Sequence, residues 1–282
     1  KFRLVRVIFV KLLFQNFGKK NSANFFAVGL NLSNNGSICI MKGGEIEFYL
    51  ESERISRKKY DTVTRNLLEY IDGTPDVIAI SDCHWDQGTK TVLSSRDIAA
   101  VRRVFPNTKV VDFRGCHHKL HAAAGWYNSG FDEAVAIVVD ANGSKTSEGI
   151  EIETVYHLPS WEVLHKKYFT QEDIGIGKMF EQTCVNYNFK PEDAGKIMGL
   201  AATDTHGEAK YVQGLWEHRA LDLAQYADGK YIILTGGCFL NCKVNYLLRK
   251  ELDQQIYAEP VAHDGGTAIG AAYLAYTGHT GC

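Results

Sequence analysis

The pattern of hydrophobic and polar residues predicts the same run of elements twice along the chain. Three apolar segments separated by Asn-Gly and Gly-Gly turns predict three antiparallel strands between residues 25 and 50. A second group starts at residue 133, where an apolar strand runs into Ala-Asn-Gly-Ser and two further strands follow up to residue 168. We predict two related lobes that face a cleft. Because Asn-Gly-Ser is a common turn, chance repetition is the alternative.

Helices and short buried strands are predicted between and after these strands. The helical segments are Thr62–Ile71, Ser94–Val104, Gly177–Tyr187, Glu208–Tyr226, Asn241–Lys250 and Thr267–Tyr276. The short apolar strands are Asp76–Ser81, Lys109–Phe113, Tyr231–Thr235 and Gln255–Pro260. This alternation predicts an α/β fold with mixed sheets, with a first lobe over residues 25–130 and a second over residues 131–282.

The first 24 residues differ from the rest of the chain. They are basic and apolar, but Arg6 and Lys11 interrupt the apolar run, which is too short and too charged to span a membrane. We interpret residues 1–24 as a leader or an edge element of the fold, with an amphipathic segment on a membrane surface as the alternative. The missing initial Met suggests a processed or partial chain.

Composition narrows the class of protein. The 282 residues are 45% hydrophobic and 23% charged, as in a soluble globular protein. A formal net charge of −2 gives no basic excess, so general nucleic-acid binding is not expected. The 7 cysteines have no CxxC spacing, so we expect no disulfide framework and predict a reducing, cytoplasmic location.

Three histidines stand close together in the segment that begins at Cys116. His117 and His121 are four residues apart and share one face of a helix, so the two can bind one metal ion. His118 lies about 100° around the helix from His117, which suits a proton carrier or a substrate contact instead. The alternative is a group of histidines that serve only packing and hydrogen bonding.

Two aspartates could complete a metal site. Asp140 ends a wholly apolar strand, where a carboxylate is costly unless it meets a cation or hydrogen bonds; it could instead initiate the turn that follows. Asp264 precedes Gly265 and a helix of small residues, so it is either a second ligand or a helix cap. Two nitrogen and two oxygen ligands suit Fe(II), Mn or Zn, and the sequence does not choose among them.

Glycine turns at strand ends predict phosphate contacts. Gly236 and Gly237 join an apolar strand to a helix that starts near Asn241, and such a junction lets backbone amides approach an anion. The turn Asn142–Ser144, with Gly143 at its centre, can present amides in the same way. Lys196 stands next to a glycine and either reaches a phosphate or is solvated.

Together these motifs resemble the NodU/CmcH/TobZ-type carbamoyltransferases, in the same order from about Phe25 to Tyr276. The resembling segments are ESERISRKKYD, HHKLHAAAGWYNSGF, VVDANGS, GIGKMFEQTCVNYNFKPEDAGKIMGLAA, LTGGCFLNCKVN and AEPVAHDGGTAIGAA. The resemblance implies a duplicated actin-like ATPase (ribonuclease H-like) fold with two lobes around a nucleotide cleft, shared with the tRNA threonylcarbamoyl transferases.

The resemblance also implies chemistry. It implies an Fe(II) ion on His117, His121, Asp140 and Asp264, and a nucleotide pocket lined by Lys196, Gly236, Gly237 and Asn241. A carbamoyl group would pass from carbamoyl phosphate and ATP, through carbamoyl-adenylate, to the hydroxyl of a small-molecule acceptor. No nucleic-acid or membrane partner is favoured.

The chain departs from the family pattern in the first hairpin. Asn34 and Asn35 stand where relatives usually carry His-Asp. Because Asn is no general base, either His118 or another group takes the proton, or transfer is impaired. The segment from residue 202 to 231 looks short for the family, and the adenylate-forming C-terminal domain of relatives is not seen. Either that activity is supplied in trans or the chain is a fragment. The alternatives are a tRNA threonylcarbamoyl transferase-like enzyme and a catalytically silent nucleotide- and metal-binding module.

Overall fold

Two five-stranded mixed sheets form the framework of the protein. The computed structural model describes residues 24–62, 65–82, 98–203 and 207–280. The first sheet has the order β3-β2-β1-β4-β5 and the second the order β10-β9-β6-β7-β8. The strands are β1 Phe26–Asn31, β2 Ser37–Lys42, β3 Glu45–Glu51, β4 Val77–Ser81, β5 Lys109–Asp112, β6 Ala134–Val139, β7 Glu151–Leu158, β8 Glu162–Tyr168, β9 Tyr231–Thr235 and β10 Ile256–Ala258.

The two sheets repeat one topology. In each, three consecutive strands pair antiparallel and the first of them also pairs parallel with the fourth. The central strands β1 and β6 are buried along their whole length, as their unbroken apolar sequences predicted. The predicted duplication and the α/β class are therefore confirmed.

Eight helical segments cover the sheets in the described part of the chain. They are α1 Ser52–Ser56, α2 at residues 98–104, α3 His117–Ser129, α4 Gly175–Asn186, α5 Ala194–Leu200, α6 Glu208–Ala224, α7 Cys242–Glu251 and α8 Thr267–Tyr276. Short 3₁₀ turns cover Arg65–Tyr70, Pro191–Asp193, Gln225–Ala227, Gly237–Leu240 and Asp264–Gly266. The stretch predicted as a helix over Thr62–Ile71 is thus a 3₁₀ turn where it is described.

Helices α3 and α8 lie between the two sheets. Their small residues allow close contact: a Cβ at Gly270 would overlap the carbonyl oxygen of Leu120 on α3. Helix α8 follows the second sheet in sequence but packs on β1, β2 and β4 of the first, whereas α3 packs on β6 and β9 of the second. The division into lobes at residue 130 stays a prediction.

Several sequence expectations concern regions that the structure does not test. Residues 1–23 and the start of the helix predicted over Ser94–Val104 lie outside the described residues. Within the described residues, no helix combines the length and the apolar character that crossing a membrane requires. Cys116 is disulfide-bonded, and the other cysteines of the described residues, Cys39, Cys184, Cys238 and Cys242, are free.

Candidate metal centre and cleft

The first turn of α3 places two histidines on one side. The helix begins after Cys116 and ends at Gly130, whose positive φ of 66° suits the left-handed position after a helix. His117 and His121 are both buried, and their Nε2 atoms are 3.1 Å apart. The two nitrogens point at one place because residues four apart share a face of the helix, as the sequence predicted.

Two carboxylates meet these nitrogens from different elements. Asp140 follows β6, and its Oδ2 lies 3.4 Å from His121 Nε2 and 3.7 Å from His117 Nε2. Asp264 opens the 3₁₀ turn before α8, and its Oδ1 lies 3.6 Å from His117 Nε2. All four ligand atoms lie within 4.8 Å of one another. Atoms bound about 2.1 Å from one ion are separated by roughly 3 to 3.5 Å. The closest donor pairs, at 3.1 to 3.6 Å, approach this spacing, so small side-chain movements would let the set hold one transition-metal ion.

The two carboxylates differ in their electrostatics. Burial would raise the pKa of Asp140, but contacts with His117 and His121 outweigh it and hold that pKa well below its usual range. Burial and the nearby charge of Asp140 together raise the pKa of Asp264. Burial lowers the pKa of His121, whereas the two carboxylates raise that of His117 against the same effect. A buried pair of carboxylates is costly, and a bound cation would relieve that cost.

Backbone amides fix the orientation of Asp140. The amide of Ala141 donates to Oδ1 at 2.7 Å, and the amide of Gly237 donates to Oδ2 at 3.2 Å. Gly236 has a φ of 89°, and a Cβ there would overlap the backbone of Val139. The Gly-Gly turn after β9 therefore lies against the end of β6, which brings the two strand ends to one point.

His118 lies on the other side of α3. Its side chain is fully buried, and its Nδ1 is 2.7 Å from Thr154 Oγ1 on β7. A Cβ at Gly143 would lie 2.6 Å from His118 Nε2, so the second hairpin covers this ring. Burial, and then the charge of His117, lower the pKa of His118 well below its usual value. His118 does not line the cleft, and its predicted role in proton transfer stays a prediction.

A cleft of about 1110 Å³ opens beside the four candidate ligands. Asp140 and Asp264 lie in its wall, and both hairpins contribute: Asn34 and Asn35 from the first, Asn142 from the second. The remaining lining residues that bear on the argument are Lys59, Tyr60, Gly177, Lys178, Lys190, Glu192, Asp193, Lys196 and Gly237. The two repeated hairpins thus face each other across one polar cavity.

The predicted nucleotide contacts divide into two groups. Asn142, Lys196 and Gly237 line the cleft, and Lys196 Nζ lies 2.9 Å from Asp193 Oδ2. Behind the surface, the Ser144 hydroxyl accepts from the backbone amide of His117 at 2.9 Å. Gly143 packs against His118 and Gly236 against Val139, and neither glycine lines the cleft.

Asn241 also lies behind the cleft surface. Its side chain accepts from the amide of Val244 and caps helix α7, and it contacts the side chain of Gln213. Asn241 stands at the start of a helix, as the sequence predicted. In the structure its side chain caps that helix and does not line the cleft.

Two lining groups were missed from the sequence. Lys59 and Tyr60 come from the loop after α1, where Arg57 and Tyr60 both have positive φ angles near 60°. The Tyr60 hydroxyl donates to the backbone oxygen of Glu192 across the cleft at 2.7 Å. The segment Gly175–Lys178 starts α4 beside the second hairpin. Only the resemblance of ESERISRKKYD to a family motif could have indicated the first group.

Comparison with known proteins shows a similarity to carbamoyltransferases over part of the chain. Residues 213–273, which include the Gly-Gly turn and Asp264, match the family described as carbamoyltransferase N-terminus. Nodulation protein NolNO of Sinorhizobium fredii (strain NBRC 101917 / NGR234) is 23% identical over 211 residues, which cover 56% of this chain and 30% of that protein. In these segments the chain is similar to carbamoyltransferases of the NodU type. The chain spans about 30% of the length of the relative that it matches.

Solved structures confirm the actin-like fold of the chain. The Acidaminococcus fermentans (R)-2-hydroxyglutaryl-CoA dehydratase component A has a TM-score of 0.56 at 14% identity, covering 90% of this chain and 98% of that one. Full-length HypF in its phosphate- and nucleotide-bound form has a TM-score of 0.53 at 15% identity, covering 92% and 47%. The ROK hexokinase of Thermus thermophilus has a TM-score of 0.52 at 12% identity, covering 88% and 97%. At these identities the likeness shows the fold alone.

Proposed function

We propose that this chain is the metal- and nucleotide-binding domain of an O-carbamoyltransferase, in which a carbamoyl group passes from carbamoyl-adenylate to an acceptor hydroxyl. One observation carries the proposal. The four ligand atoms of His117, His121, Asp140 and Asp264 meet at the wall of a cleft between two repeated hairpins, in a chain with a carbamoyltransferase family match.

The neighbours support a nucleotide as the ligand of the cleft. HypF was solved with phosphate and nucleotide, and an activator from Clostridium difficile with a TM-score of 0.53 was solved with bound ADPNP. In this chain we assign ATP or carbamoyl-adenylate to the same cleft. Carbamoyl phosphate would enter as the source of the carbamoyl group, and an adenylate-forming domain would make the adenylate, in cis or in trans.

The chain's own residues would bind and orient the adenylate. Asn142 and Gly237 stand beside Asp140 and can contact phosphate oxygens from the second lobe. Lys196 can reach the same anion by exchanging its exposed contact with Asp193. Fe(II), or Mn or Zn in its place, would act as a Lewis acid that neutralises charge on the adenylate leaving group.

The first hairpin gives less support to the transfer step than the second hairpin gives to nucleotide binding. Asn34 and Asn35 line the cleft where relatives usually carry His-Asp, and an amide cannot take the proton of a hydroxyl. This observation favours a second candidate function, a module that binds metal and nucleotide without transferring a carbamoyl group. The lining of the described cleft carries four lysines beside five carboxylates and so has no basic excess. The tRNA threonylcarbamoyl transferase-like alternative therefore receives no support from it.

A transfer assay separates these candidates. The chain, loaded with Fe(II) under anaerobic conditions, is mixed with ATP, carbamoyl phosphate and a separate adenylate-forming domain, and a panel of polyhydroxyl compounds is screened by mass spectrometry. Gain of one carbamoyl group on an acceptor supports transfer. The silent module is supported if the wild-type chain binds nucleotide but forms no product, and the double variant Asn34→His/Asn35→Asp does transfer the carbamoyl group. A chain that binds no nucleotide contradicts both.

A matched pair of lysine variants tests the cleft assignment. Lys196→Ala should weaken nucleotide binding about tenfold because one charge-assisted phosphate contact is lost. Lys250→Ala, which removes an exposed lysine of α7 outside the cleft lining, should leave the affinity unchanged. Equal affinities for the two variants would place the nucleotide elsewhere.

A further inference from the structure

The turn that carries Asp264 is tied to the first sheet. The Ser37 hydroxyl on β2 donates to the backbone oxygen of Gly265 at 2.8 Å. On the other side of the turn, the Thr267 hydroxyl donates to the backbone oxygen of Asp264 at 2.7 Å and lies 2.9 Å from the Ser81 hydroxyl on β4. Of the four candidate ligands, Asp264 is therefore the one held by strands of the first lobe.

A buried carboxylate forms the rest of this attachment. Glu51, at the end of β3, has a side chain that is only 8% exposed. It accepts from the Tyr49 hydroxyl at 3.1 Å, and its Oε1 lies 3.4 Å from Nε2 of His263. The other ring nitrogen of His263, Nδ1, accepts from the amide of Gly265 at 3.1 Å.

These contacts define one hydrogen-bonded path to the candidate metal ligand. Because His263 Nδ1 accepts from a backbone amide, the ring proton is assigned to Nε2, which faces Glu51. The path runs from a buried carboxylate through an imidazole to the amide next to Asp264. A Cβ at Gly265 would lie 2.7 Å from both the Tyr49 hydroxyl and His263 Cε1, so the turn is pressed against the same two side chains.

We propose that Glu51 and His263 are positioning residues for Asp264, which hold its carboxylate toward the two histidines from the first lobe. This inference rests on the metal site of the proposed function. Neither side chain is offered as a ligand: His263 points its Nε2 at Glu51 and its Nδ1 at the backbone. Outer contacts of this kind orient a ligand before the ion arrives, and their loss typically weakens metal binding about 10- to 100-fold.

Cobalt binding tests the proposal, because the ligand-field spectrum of Co²⁺ reports the number and arrangement of its ligands. Glu51→Ala should raise the Kd for Co²⁺ about tenfold and change the spectrum, since Asp264 is no longer held in place. Glu51→Gln keeps an oxygen that accepts from Tyr49 and from His263 Nε2, so it should restore most of the affinity and the wild-type spectrum.

Two further variants separate this path from general damage. His263→Asn keeps a side-chain acceptor for the amide of Gly265 but is too short to reach Glu51, so it should weaken cobalt binding while the turn stays capped. The control is Glu133→Ala, which removes a carboxylate 3.0 Å from His157 Nε2 on the surface of the second lobe and should change neither affinity nor spectrum.

The outcomes are distinct. A folded Glu51→Ala variant with the wild-type Kd and spectrum overturns the proposal, and if that variant does not fold, wild-type binding by His263→Asn overturns it instead. A wild-type chain that binds no Co²⁺ overturns the metal site and the positioning pair together. A wild-type chain that binds Co²⁺, is weakened by the variants and never transfers a carbamoyl group supports the pair and contradicts only the transferase function.

Discussion

Replacing Gly177 by alanine tests how closely α4 packs on the second hairpin. A Cβ at this position would lie 2.5 Å from Ala141 Cα and 2.6 Å from Ala141 N, both of them backbone atoms. To reach an ordinary contact of 3.4 Å the two backbones must move apart by about 0.9 Å. Overpacking of this kind costs typically about 1–3 kcal/mol, and the better helix propensity of alanine returns up to about 1 kcal/mol.

We therefore expect Gly177→Ala to lower the free energy of unfolding by about 1–2 kcal/mol and the Tm by about 2–8 °C. Because Ala141 follows Asp140 directly, the same displacement should weaken nucleotide and metal binding, about tenfold for a shift approaching 1 Å. Thermal unfolding and nucleotide titration measure the two effects. Gly195→Ala is the matched control, since nothing lies within 4 Å of a Cβ there and α5 should become slightly more stable.

The Tm and the nucleotide affinity of the variant test two different contacts. A Gly177→Ala variant with the wild-type Tm would show that the helix does not press on the hairpin as the structure has it. A variant that loses stability but binds nucleotide as tightly as the wild type would show that Ala141 and its neighbours are not part of the nucleotide site.

Two more predictions concern buried charges in the second lobe. Arg219→Ala leaves the buried carboxylate of Glu153 without its two-pronged partner, so we expect a loss of about 3 kcal/mol in urea unfolding; a loss no larger than for an exposed lysine variant would contradict this. Burial raises the pKa of Glu259, an effect that Asn128 only partly offsets. The folded state therefore binds this proton more readily than the unfolded state, and ionised Glu259 lowers stability as pH rises through its folded pKa. Glu259→Gln should raise the Tm at about pH 8, with a gain that shrinks toward about pH 4; a gain independent of pH would refute the assignment.

Much of the framework was predictable because local signals agreed with the fold. Asn-Gly and Gly-Gly turns predicted the two hairpins, and unbroken apolar segments predicted the strands β1 and β6. The helical spacing of His117 and His121 likewise predicted a shared face, which the structure has. The six residues Arg65–Tyr70 mix polar and apolar side chains, and the helix predicted there is only a 3₁₀ turn. Short segments of this kind rarely sustain a helix without packing against the rest of the fold.

The assembly of the site needed the tertiary structure. Asp264 stands far from His117 in sequence and reaches it only because α8 returns to the first sheet. The sequence predicted the Asn-Gly-Ser turn, but it did not show which side of the turn faces the cleft. In the structure Asn142 lines the cleft, whereas Gly143 is a glycine because His118 lies against it.

The position of a bound metal tests the central claim most directly. Crystals of the chain reconstituted anaerobically with Fe(II), and with Mn or Zn in parallel, would be measured by anomalous scattering at the absorption edge of each metal. We expect one metal ion per chain, bonded to His117 Nε2, His121 Nε2 and the carboxylates of Asp140 and Asp264. Absence of a peak at that point, or a metal held by other residues while the two histidines point apart, would contradict it.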